Sequence, residues 1–206
     1  MAESVLPAVV ILASFLVGSI PWGLLVARWV AGVDVRKVGS GNVGATNVSR
    51  VLGRKWFFVV FVLDAAKAVL PVVLLPGLAG GAEWLRVACG LAAVLGHVFN
   101  PFLGFKGGKG VATSAGAVFA LAPLPAAAAT AVFGLVLLAF RYVSLASISS
   151  AVAMAPLALL FGAPREVVLL GVVVAIVVVV RHAANLGRIA AGTEPRVFAK
   201  KETAGG

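Results

Sequence analysis

Long, nearly uncharged apolar runs recur from one end of this chain to the other, and that feature excludes most ways of folding it. Val5 to Val30, Trp56 to Leu75 and Val143 to Phe161 each meet the requirement for a bilayer-crossing helix, roughly 20 mostly apolar residues. Leu85 to about Leu103, Val111 to Leu121, Pro125 to Phe140 and Val167 to about Ala184 are the remaining candidates. Valine favours strands in water, but an isolated segment in lipid satisfies its backbone only as a helix. With 62% hydrophobic and 12% charged residues, the 206-residue chain is too apolar for a water-soluble domain. The expected fold is all-α: a polytopic membrane bundle of seven helices forming one domain over residues 1–206. Glu3, rather than a basic residue, precedes the first run, which is also too long for a cleaved signal peptide.

Charge sets the expected orientation. Of the 17 Lys and Arg residues, only Arg86 and Arg165 fall in the even-numbered gaps and Lys67 within a span; the others, from Arg28 to Lys201, share one side. The positive-inside rule then puts the N-terminus outside and the C-terminus in the cytoplasm. Merging Val111 to Phe140 into one kinked helix would put Lys109 and Arg141 on opposite faces, so the break belongs at Pro123 and Pro125. The net charge of +10 is divided among short loops and builds no continuous basic face, so no nucleic-acid partner is expected. The single cysteine, Cys89, excludes an internal disulfide, and no metal-ligand cluster or cofactor is indicated.

Two loops on the basic side carry more chemistry than a connector needs. In the first, Gly39, Gly41 and Gly44 permit close backbone approach, Ser40, Asn42, Thr46 and Asn47 supply hydroxyls and amides, and Arg50 adds a planar fork suited to phosphate. In the second, Gly107, Gly108 and Gly110 surround Lys109 just before a helix, where exposed N–H groups and the helix dipole favour an anion. Its spacing is not that of a nucleotide-binding P-loop, and nucleotide hydrolysis is not expected. The plainer readings are a flexible glycine turn and a pair of topology-setting lysines, Lys106 and Lys109.

Arg181, His182, Asn185 and Arg188 crowd the end of the last run, with His182 and Asn185 one helical turn apart. His97 could be structural or functional. Asp64 and Lys67 sit about 15 Å into the second span at i, i+3 spacing, which suits a pair inside the bundle or, alternatively, a proton path. Ser144 and Ser147 lie in the fifth gap. No Cys–His pairing is apparent, and neither His97 nor His182 begins a His-x-x-x-x-Asp motif, because Phe102 and Gly187 stand at the fifth position.

Nearly the whole chain resembles a family, the bacterial acyl-phosphate:glycerol-3-phosphate acyltransferases (PlsY family). The likeness rests on Gly18-Ser19-Ile20-Pro21, the stretch Gly39 to Asn47, Gly96-His97 with Phe105 to Thr113, and Arg181 to Asn185 with Gly192-Thr193-Glu194-Pro195. Val43 stands where many relatives carry proline, and Asn100 replaces a more usual apolar residue. The resemblance implies transfer of a fatty acyl group from acyl phosphate to the 1-hydroxyl of sn-glycerol 3-phosphate, giving lysophosphatidic acid and inorganic phosphate. It implies that Ser40, Asn42, Thr46 and the glycines Gly39, Gly41, Gly44, Gly107 and Gly108 cradle acyl phosphate. Arg50, Lys109, His182 and Asn185 would contact glycerol 3-phosphate, with Ser147 as a companion. The catalytic set is then Lys109, His182 and Ser40. The implied setting is the bacterial inner membrane with the site facing the cytoplasm and no obligate protein partner. A small transporter or channel for phosphate or organophosphate is the competing reading, and the acceptor's proton could pass to a substrate phosphate oxygen or to His182.

Overall fold

The computed structural model describes residues 2–197, so Lys200 and Lys201 of the charge argument lie outside the described residues. Among the described residues ten α-helices follow one another: α1 (Ala2–Gly18), α2 (Trp22–Ala31), α3 (Ala45–Leu52), α4 (Lys55–Leu74), α5 (Glu83–Val98), α6 (Val111–Leu121), α7 (Pro123–Phe140), α8 (Val143–Leu160), α9 (Arg165–Arg181) and α10 (Ala183–Ala190). No strand occurs among the described residues. Among the described residues five segments are long and apolar enough to cross a membrane, from Val5–Ala31 to Val143–Leu160, and α9 with α10, bent by 56°, is a sixth if the pair is counted as one span. At 11 residues, α6 is about 16 Å long, half the thickness of a bilayer's hydrocarbon core. Leu138 and Leu160 are three-quarters exposed on the outside of the bundle, an arrangement suited to lipid rather than water.

The first run is not the continuous helix its composition suggests. It breaks after Gly18, because Pro21 lacks an N–H and its backbone (φ −88°, ψ 68°) is not helical. Carbonyls freed at such a break need donors in an apolar medium. Asn100 Nδ2 donates to Ser19 O at 2.5 Å and Lys67 Nζ donates to Ile20 O at 2.8 Å. Close helix approach fixes the break in place: a side chain at Gly18 would overlap the backbone of Ala93, and one at Gly96 would overlap the carbonyl of Phe15. Small residues let α1 and α5 meet backbone to backbone, as in other membrane bundles.

The expected break at Pro123 is present: Ala122 leaves helical geometry (φ −147°, ψ 80°) and Pro123 starts α7. The run from Leu85 ends as a helix at Val98, followed by a short 3-10 turn at Pro101–Leu103. Two apolar clusters are the largest among the buried residues. Leu24, Ala27, Val48 and Val60 join α2, α3 and α4, while Val118, Ala126, Met154, Leu170 and Val174 join α6 to α9.

Candidate active site

The first loop is built around one buried side chain. Asn47 Nδ2 donates to Val35 O (2.9 Å) and Val38 O (3.1 Å), while its Oδ1 accepts from Ser40 N (2.8 Å). Gly39 has φ +60°, and a side chain there would run into Asn47 Oδ1, so the turn demands glycine on both counts. Asn42 Oδ1 accepts from Gly44 N at 2.8 Å. Gly44 then opens α3, a helix that the glycine- and polar-rich sequence hides. No side chain caps its N-terminus. Thr46 and Arg50, four residues apart, share the helix face that lines a cleft also reached by Ser40, Asn42, Gly44 and Ala45. Gly39 and Gly41 do not line that cleft; they shape the turn behind it.

The second loop is also rigid, but its backbone faces differently from the expectation. Gly107 N and Gly108 N donate to Val98 O and His97 O, both at 3.1 Å. These N–H groups are therefore unavailable to an anion, which corrects the reading of Gly107 and Gly108 as cradle donors. Their carbonyls accept from Arg181, at 2.9 Å for Nη2 to Gly107 O and 3.3 Å for Nε to Gly108 O. The donors that remain are those of the first turn of α6, which has no side-chain cap and whose first residues, Val111 and Ala112, line the cleft beside Lys109 and Gly110. Lys109 Nζ donates to Asn185 Oδ1. Burial lowers the Lys109 ammonium to about 8; Glu194 opposes the shift, while Arg188, Arg50 and Arg181 add to it.

The third wall comes from α8, α10 and the segment after them. Glu194, without a role in the sequence reading, is the hub: its Oε1 accepts from Ser144 Oγ (2.8 Å) and Asn185 Nδ2 (2.6 Å), and its Oε2 from Arg188 Nε (2.7 Å). Burial alone would raise its carboxyl, but the hydrogen bonds from Asn185, Ser144 and Arg188 outweigh that and hold it below its usual value. Asn185 is thereby oriented with its amide nitrogen on Glu194 and its oxygen on Lys109. His182 stands at the bend between α9 and α10, not inside a helix, with Nδ1 2.8 Å from Val178 O. That contact assigns the proton to Nδ1 and leaves Nε2 as an acceptor. Ser147 Oγ donates to Val143 O at 2.8 Å and lines the cleft.

Asp64, Lys67 and His97 form one buried group. Lys67 Nζ lies 2.8 Å from Asp64 Oδ1 and 2.9 Å from His97 Nδ1, in addition to its bond to Ile20 O. The Asp64 contact has the distance of an ion pair and places opposite charges side by side in the buried interior. The expected i, i+3 pair is therefore present, and Lys67 has a second task, completing the backbone at the break before Pro21. Asp64 and His97 line the deep side of the cleft, an outcome their positions in separate spans did not reveal.

Ser40, Asn42, Gly44, Thr46, Arg50, Lys109, Ser147, His182 and Asn185 thus converge on one cavity of about 130 Å³. Arg188 and Ser144, which the sequence placed on the same face without assigning them to the site, line it too, and so does Glu194, to which the sequence reading gave no role. A second, apolar cavity of about 220 Å³ continues from the first, the two sharing Phe57, Phe61, Val111, Phe133 and Ser147, and runs between α6, α7, α8 and α9 to Met154 and Val174. A polar, cationic head joined to an apolar groove fits an amphiphile with an anionic end.

Comparison with known proteins places this geometry. The family model described as "Glycerol-3-phosphate acyltransferase" matches residues 8–192. Proteins named glycerol-3-phosphate acyltransferase include one from Geotalea daltonii, 46% identical over 90% of this chain and 95% of its own, and one from Trichlorobacter lovleyi, 47% identical over 90% and 95%. A crystal structure of PlsY (YgiH), an integral membrane glycerol 3-phosphate acyltransferase in its glycerol 3-phosphate form, superposes with a TM-score of 0.86 at 41% identity, covering 92% of this chain and 94% of that one. Its lysophosphatidic acid form gives a TM-score of 0.85 at 40% identity, with the same coverage. By family model, by sequence and by fold, the chain belongs to the glycerol-3-phosphate acyltransferase family.

Proposed function

We propose that this protein transfers a fatty acyl group from acyl phosphate to the 1-hydroxyl of sn-glycerol 3-phosphate, releasing lysophosphatidic acid and inorganic phosphate. The observation that carries the reading is the cleft itself: two uncapped helix N-termini, those of α3 and α6, together with Arg50, Lys109 and Arg188, surround one cavity that opens into an apolar groove. That is room for two phosphates and one hydrocarbon tail. The acyl chain occupies the groove between α6 and α9, so no soluble carrier has to deliver it.

Acyl phosphate is a mixed anhydride with a good leaving group, so aligning the hydroxyl against the carbonyl suffices and no covalent enzyme intermediate is required. The acceptor oxygen forms its bond to the acyl carbon, the bond from that carbon to the phosphate oxygen breaks, and the hydroxyl proton leaves on the departing phosphate. Nothing else is needed for balance. The two carboxylates at the cleft support that route: Glu194 is held by three donors and Asp64 by Lys67, so neither is a free base. Lys109 and the first N–H groups of α6 stabilise charge on the phosphate and carbonyl oxygens. Ser40, Asn42 and Thr46 hold the donor phosphate, Arg50 with Asn185 and His182 holds glycerol 3-phosphate, and Ser147 borders both cavities.

The same reading sets the chain in the bacterial inner membrane with seven spans, α6 as the short fourth one, the N-terminus outside and the C-terminus and cleft on the cytoplasmic side. The test of the donor is a substrate exchange. Purified enzyme should form lysophosphatidic acid from palmitoyl phosphate and not from palmitoyl-CoA, and efficient product from the thioester would contradict the assignment.

A further inference from the structure

We propose that Arg181 is a positioning residue for this reaction: from behind the cleft, its forked guanidinium holds the carbonyls of Gly107 and Gly108 and so fixes where Lys109 and the first turn of α6 stand. The inference rests on the function proposed above. Arg181 is the last residue of α9 and is not among the residues lining the cleft. Among the described residues it makes no ion pair. Its hydrogen bonds go to two successive backbone oxygens instead.

Those two bonds complete a backbone that is held on both edges. The N–H groups of Gly107 and Gly108 are tied to Val98 O and His97 O at the end of α5, and their carbonyls are tied to Arg181 on α9. Beneath them, the His97 ring occupies the place a Gly108 side chain would take, and that ring rests on Lys67, itself bonded to Ile20 O. Residues 107 and 108 therefore cannot shift without breaking contacts to α5 or α9. Lys109 follows directly, and Gly110, at φ +83°, turns the chain into α6. The aim of the lysine and of the α6 N–H groups is inherited from a turn that Arg181 pins.

A cation at the end of α9 would also suit the helix dipole, and on that simpler role Lys would serve as well as Arg. The two roles separate on geometry. A planar fork spans two adjacent carbonyls, whereas an ammonium is a point charge that cannot hold both in the same way.

The test compares wild type with Arg181→Lys and Arg181→Ala, using glycerol 3-phosphate binding by calorimetry without donor, and steady-state kinetics with palmitoyl phosphate. R181K is expected to keep the wild-type unfolding temperature yet lose about 10- to 100-fold in kcat/KM, with kcat falling as well as KM rising, as when other supporting contacts of a reactive group are removed. Millimolar guanidinium should restore part of the activity of R181A, and methylammonium should not. Wild-type kinetics in R181K would overturn the proposal, as would a loss that only parallels a fall in unfolding temperature. Absence of glycerol 3-phosphate binding by the wild type would instead count against the functional reading itself.

Discussion

In the proposed reaction, Lys109 concentrates the chemistry of the cleft in a single ammonium. It is held by Asn185, surrounded by Arg50, Arg181 and Arg188, and lowered by burial to about 8. Below that value the group is cationic and can stabilise a phosphate; as pH rises through it the charge is lost. The kcat/KM profile for glycerol 3-phosphate should therefore fall on an alkaline limb near 8, and a profile flat to pH 10 would remove Lys109 from the charge-stabilising role. Lys109→Ala should lower kcat by roughly 100- to 1000-fold, the usual cost of removing one donor from a site of developing charge. Arg50→Ala should chiefly raise KM, by about 10- to 100-fold, since a charged hydrogen bond contributes about 1.5–3 kcal/mol. Both proteins should still insert, because Lys109 and Arg50 lie outside the apolar contacts between helices, and wild-type turnover by either would sink its role.

At the level of elements, the loops are as firmly built as the helices. Asn47 satisfies three backbone groups of the first loop, the Val38 carbonyl being shared with Gly41 N. Asn47→Ala should therefore destabilise the fold by about 1–3 kcal/mol per buried group left unpaired, read as a lower unfolding temperature in detergent; an unchanged midpoint would contradict the account of the loop. Gly18→Leu should be worse, since α1 must then move off the backbone of Ala93. How much of this was legible varies with the element. Glycine and asparagine in the stretch from Gly39 announced a shaped loop, but α3 was concealed because its helix is polar, short and opened by glycine. The second loop announced an anion site through its glycines, but the N–H groups of Gly107 and Gly108 are bonded to α5, a tertiary contact that spacing does not carry, which leaves those of Val111 and Ala112 at the cleft. Glu194 was present in a recognised motif, yet its partners Ser144, Asn185 and Arg188 become neighbours only when α8 and α10 meet.

For the whole molecule, the apolar runs set the fold class, because length and hydropathy are local properties, while the break at Pro123 followed from the charges of Lys109 and Arg141 on either side of it. The interruption at Ser19 was hidden inside an unbroken apolar stretch, and it depends on Lys67 and Asn100 from elsewhere in the chain. Orientation is the part that charge asymmetry carries. In a Cys89→Ala background, Leu78→Cys in the turn after α4 should react with an impermeant maleimide from outside intact cells, and Lys106→Cys only after permeabilisation; the reverse pattern would invert the bundle. The central claim is that one cleft brings two phosphorylated substrates together for acyl transfer. Its most direct measurement is phosphate release from palmitoyl phosphate by the purified protein, with and without glycerol 3-phosphate. The account predicts release that depends on glycerol 3-phosphate and is matched mole for mole by lysophosphatidic acid; release indifferent to the acceptor, or none in its presence, would contradict it.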